Sequence, residues 1–133
     1  MAVGSSAAGL ANKWLDMLGA AAFTAPTGTY VKLHIGDPGS AAATSPSSVT
    51  TRPAVTWASA SGGSKASSGT APSWTSWAGT NAEVVTHISV WDTAGPTGGN
   101  FLFSAALSAS KTINTGDTLN LTSLTYALTP IAA

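Results

Sequence analysis

Apolar residues recur along this 133-residue chain with two different periods. Between residues 6 and 22, Leu10, Trp14, Met17, Leu18 and Ala21 fall on one arc of a helical repeat, with Asn12, Lys13 and Asp16 on the other. That pattern predicts one amphipathic helix. Ser5 or Ser6 can cap its start, Gly19 weakens it, and Pro26 and Gly28 in "TAPTG" end it.

From Thr29 onward the period is two. "TYVKLHI" places Val31, Leu33 and Ile35 on one face and Tyr30, Lys32 and His34 on the other, the pattern of a half-buried strand. "PAVTWA" buries Val55 and Trp57, and "APSWTSWA" is a weaker segment. "EVVTHISVWD" is the strongest: Val84, Ile88 and Val90 face one way, Val85, His87, Ser89 and Trp91 the other. The glycine-bearing loop "TAGPTGG" joins it to "NFLFSAAL" in a hairpin. "KTINTGDTLNL" turns at Asn114 to Asp117, and "SLTYALT" ends the series at Thr129.

About seven to eight short strands with closely spaced turn signals predict a mainly β chain. The expected architecture is one domain over 1–133, with an N-terminal α-helix at 6–22 and an antiparallel β-sandwich at 29–129, Ig-like or jelly-roll-like. The stretches 39–52, "GSAAATSPSSVTTR", and 59–70, "SASGGSKASSGT", lack periodicity and read as long exposed connections, the first of them reaching a neighbour.

Charge sharpens this picture. Five Lys/Arg balance five Asp/Glu, scattered singly, and together they make up only 8% of the chain. Without a basic stripe, binding to nucleic acid through its phosphates is excluded as an expectation. So sparsely charged a surface suits one that is covered in an assembly. The first residues lack a basic leader region and carry Lys13 and Asp16 inside the apolar stretch, which argues against a signal peptide and a membrane span. Synthesis in the cytoplasm follows as the expectation.

Candidate chemistry is thin. The chain has no cysteine and only two histidines, His34 and His87. With Asp37 or Asp92 they could form a metal set only by converging in space. The simpler expectation is two strand histidines satisfied by a hydroxyl or a backbone carbonyl, with no metal and no cofactor. The abundant serines sit in no "GxSxG" elbow and no phosphate-binding glycine loop is present, so no catalytic residue is assigned and no enzyme activity is expected.

Five tryptophans offer the other lead. Trp74 and Trp77 are three apart and cannot share one face of a regular strand, so either one points outward or the chain bends between them. An exposed Trp could stack on a sugar ring, which keeps a carbohydrate-binding adhesin as the alternative reading, with host surface glycans as partners. Residues expected at an interface are Trp14, Leu18, Arg52, Trp74 and Trp77. In "LHIGDPG" the last four residues, Gly36, Asp37, Pro38 and Gly39, form a structural turn in which Asp37 accepts backbone N–H bonds and Gly39 takes positive φ.

Taken in order, "LHIGDPG" (33–39), Arg52 heading "RPAVTWASASGG", "SWTSWAGTNAEVVTHISVWDTAGPTGGNFLFSAAL" (73–107) and "KTINTGDTLNL" (111–121) resemble the small tail-fibre-like or minor tail proteins of bacteriophages that infect actinobacteria. The resemblance covers roughly residues 10 to 129. It implies a non-enzymatic virion structural subunit, a homo-oligomer whose partners are its own copies and major capsid or tail proteins. A minor tail position and a capsid decoration both fit.

Overall fold

The computed structural model describes residues 3–128, so the expected ends of the domain and of the sandwich at Thr129 lie outside the described residues. The chain begins with β1 (Gly4–Ser5) and a helical segment made of a π turn (Ala7–Ala11), α1 (Asn12–Asp16) and a 3-10 turn (Met17–Gly19). Then come β2 (Tyr30–His34), β3 (Thr56–Trp57), β4 (Ser64–Ser68), β5 (Ser73–Trp74), β6 (Glu83–Trp91), β7 (Phe101–Ile113), β8 (Leu119–Asn120) and β9 (Thr125–Ala127). Neighbouring strands are antiparallel, in a four-stranded sheet of order β1-β7-β6-β2 and in two smaller sheets, β3-β4-β9 and β5-β8. The fold is mainly β with a short helix at its N-terminus.

The core lies between these layers. Val31, Leu33, Val85, Ile88, Val90, Leu102 and Phe103 of the large sheet cluster with Leu10, Val55, Trp74, Trp77 and Leu124. Each fully buried aliphatic side chain contributes about 1.5–3 kcal/mol through removal from water, and the short outer strands depend on that burial.

The helical segment is shorter than the 6–22 expected. Ser6 caps it, its hydroxyl accepting the N–H of Gly9 at 3.0 Å. It ends at Gly19, because Ala20 adopts the left-handed conformation, φ 63°. Leu10 and Trp14 pack on the core, whereas Met17, Leu18 and Ala21 of the same stripe are left outside. Gly9 permits the close approach: a Cβ there would sit 1.9 Å from the carbonyl oxygen of Phe101.

Strand β6 also departs from simple alternation. It pairs with β7 in one register from Glu83↔Ile113 to Val85↔Lys111 and in another from His87↔Ala106 to Val90↔Phe103, with a further shift before Trp91↔Phe101. This bulge brings Val85 into the core beside Ile88 and Val90 and leaves Val84 exposed. Similarly, β2 ends at His34, and Ile35 emerges at the surface where the corner starts.

Both stretches read as exposed connections are structured. Residues 45–55 run along the outer edge of β2, through Ile35 N–H to Ser45 O at 2.9 Å, Ser47 N–H to Leu33 O at 3.1 Å and Val31 N–H to Pro53 O at 3.0 Å. Ser47 donates its hydroxyl to the buried carboxylate of Glu83. The first loop thus covers its own sheet edge, which would otherwise invite pairing. The second contains β4, set by Gly62 and Gly63 at φ 56° and 75°, with Ser61 and Ser64 exchanging both backbone bonds at 2.9 Å. That is the two-residue hairpin geometry that needs two positive φ values.

Candidate functional site

The residues singled out from sequence occupy two different environments. At the corner, Asp37 Oδ1 accepts the Gly39 N–H at 2.9 Å, Pro38 is buried and Gly39 has φ 74°. Thr44 closes the turn by donating its hydroxyl to Asp37 O at 2.7 Å and its N–H to Pro38 O at 3.1 Å. The corner folds the following loop over His34, which becomes completely buried.

His34 and His87 pair across β2 and β6, but no group of three or more His, Cys, Asp or Glu among the described residues is arranged to hold a metal. Instead His34 Nδ1 donates to Thr44 O at 2.9 Å, and Nε2 therefore accepts from the Ser89 hydroxyl at 2.8 Å. Trp91 Nε1 donates to the same hydroxyl oxygen at 2.8 Å. Burial lowers the His34 pKa, the bond to Thr44 O opposes this, and Lys32 and His87 add to the lowering.

The unfolded chain takes up a proton that folded His34 resists. Its contribution to stability is complete above about pH 6.5, the ordinary imidazole value, and declines on acidification below it. Thermal melts should show Tm falling as pH drops from neutrality toward pH ~5, ahead of carboxylate protonation, and His34→Gln should flatten that slope. An unchanged slope in the variant would exclude His34 as its source.

Three of the five expected interface residues are buried within the chain. Trp74 and Trp77 are 3% and 2% exposed, so neither ring can stack on a sugar or a neighbour. Both turn inward because Ser76, at φ 50°, breaks the strand between them. Their indole N–H groups donate to Thr51 O and Thr80 O, each at 3.1 Å. Arg52 is buried too, stacked 4.2 Å above the Trp91 ring and donating to the carbonyls of Gly98 at 3.1 Å and Pro96 at 3.2 Å. It holds the β6–β7 hairpin loop rather than a partner. Leu18 lies wholly at the surface and Trp14 at the rim of a groove.

That groove is the main concavity that sequence reasoning missed. Trp14 comes from α1, Phe23 and Pro26 from the linker, Tyr30 from β2, Trp57 from β3, Phe103 from β7 and Tyr126 from β9, around about 660 Å³. The rings brace one another: Phe103 and Tyr126 centroids lie 4.6 Å apart, Trp14 and Tyr126 5.7 Å, Trp57 and Phe103 6.3 Å. Two of their polar handles are engaged, Trp57 Nε1 with Thr29 Oγ1 at 2.7 Å and the Tyr126 hydroxyl with Ser5 Oγ. Thr29 in turn donates to Val55 O at 3.2 Å. Lys65 stands at the edge as the charged residue of the lining. In sequence these rings are spread from residue 14 to 126, so no spacing could have announced them.

Outside the groove, the exposed large apolar side chains include a run on the helical segment, Leu15, Met17 and Leu18, at 63%, 50% and 88% exposure. No helix among the described residues is long and apolar enough to cross a membrane. Compared with known families, residues 5–129 match the model of a family described as podophage GP4 fiber I protein gp80. No curated protein matches the chain.

Proposed function

Because the chain belongs to the podophage GP4 fiber I protein gp80 family, a tail-fibre-type structural family of phage virions, we propose that it works on the particle exterior through subunit contacts alone, made by the ridge of Leu15, Met17 and Leu18. The observation that carries this reading is the ridge itself, three large apolar side chains within four residues left in water by a segment that buries Leu10 and packs Trp14 against the core. Such clustering marks contact surfaces far more than scattered apolar residues do. The match of residues 5–129 to a fibre protein family supports a place on the tail over decoration of the capsid.

Mass spectrometry of purified particles tests the proposal. The wild-type chain should be a stoichiometric component, and the Leu15→Ser/Leu18→Ser chain, whose stability should change by no more than about 0.5 kcal/mol per exposed site, should be depleted from particles. Equal incorporation of the variant would rule the ridge out as the attachment surface.

A further inference from the structure

We infer that the ridge of one copy docks in the aromatic groove of a second copy, a head-to-tail contact between identical chains. This rests on the subunit-contact reading above and supplies its partner. The two surfaces match in chemistry: the ridge is convex and apolar, and the groove is concave and walled by Trp14, Phe23, Tyr30, Trp57 and Tyr126.

They also match in charge. Asp16, on the polar arc of the same helical segment and next to Leu15 in the chain, is exposed beside the ridge, and Lys65, exposed in the groove lining, donates its ammonium to the carbonyl of Ala58 at 2.9 Å. With so few charges in the chain, Asp16 beside the ridge and Lys65 in the groove lining favour one polarity and register, with Lys13 near Asp16 on the helical segment, at little desolvation cost since all three are exposed.

Geometry excludes the intramolecular version. Leu10 and Trp14 of the same helical segment form part of the groove wall, whereas Leu15, Met17 and Leu18 are exposed and do not line it. A ridge that fills the groove must come from another chain, and such a heterologous contact closes as a ring or continues as a filament. A sugar is a poorer occupant, because the Trp57 indole N–H and the Thr29 and Tyr126 hydroxyls, which could bond its hydroxyls, already have partners within the chain. The ridge residues bury less than the ~800 Å² per partner of a standard interface. Association of the free protein should accordingly depend on concentration and be strengthened by repetition in the particle.

Sedimentation velocity across a concentration series reads this directly. The wild-type chain should pass beyond dimers as concentration rises. Leu18→Glu, which places a charge on the ridge, and Thr27→Trp, which fills the groove from an exposed rim position, should each remain monomeric. Mixed together they should form a heterodimer that grows no further. Asp16→Lys and Lys65→Asp should each weaken association about tenfold, equivalent to about 1.4 kcal/mol, and the double variant should regain it. A wild-type chain monomeric throughout, or a charge swap that restores nothing, overturns the inference. So does binding of a glycan by a monomeric chain when Thr27→Trp abolishes it. Particle incorporation is measured separately, so the two readings fail independently.

Discussion

Trp77→Ala is expected to lower the unfolding free energy by about 3–5 kcal/mol, the range for truncating a buried aromatic. The ring is 2% exposed and sits in the core cluster. A Cβ on Gly79 would approach it to 3.0 Å, so the chain wraps it closely. Its backbone joins two distant segments, Trp77 N–H donating to Asp117 O at 2.8 Å and Gly116 N–H donating to Trp77 O at 2.9 Å. A domain of this size has about 5–15 kcal/mol in total, so the variant should approach the limit of folding. Urea unfolding should show a lower midpoint at an unchanged slope, with Leu18→Ser as the exposed control. A loss below about 1 kcal/mol would mean that the ring is not the cross-tie described.

Arg52→Ala is expected to cost about 3 kcal/mol or more, by a different mechanism. Truncation removes the charged donors to Pro96 O and Gly98 O, each such bond being worth about 1.5–3 kcal/mol, and exposes the Trp91 face. Burial works against the guanidinium and nearby Asp92 supports it, while its Nε–H has no acceptor. The cation is thus held by carbonyl dipoles and a ring face, an arrangement that only a planar, multiply donating group satisfies. Arg52→Lys should therefore recover only part of the loss. Hydrogen exchange should localise the change to residues 92–100, and full recovery by Lys would contradict the role of the fork.

Pattern and local chemistry carried much of the fold. Alternation placed β2, β6 and the start of β7; the Gly-Asp turn at Asn114 to Asp117 and the corner at Gly36 to Gly39 are set by residues that form turns wherever they stand. Period alone did not reveal the bulge after Val85, since a bulge shifts phase without marking the residues that flank it. β4 escaped because "SGGSK" has no alternation, although its Gly-Gly pair is a hairpin signal. β1, only Gly4 and Ser5, pairs with β7 solely because the chain before the helix is brought there.

By itself, the sequence determined that this chain is β-rich and sparsely charged with an N-terminal helix, because strand period, turn residues and charge count are local or additive properties. The tertiary structure alone decided which aromatic side chains are inside. Trp74 and Trp77 vanish into the core at a left-handed Ser76, Arg52 turns inward to a loop, and rings from five separate elements and the linker converge on one groove. Those outcomes depend on contacts between residues more than a hundred positions apart, where burial area and hydrogen-bond satisfaction, rather than local propensity, set each side chain's direction.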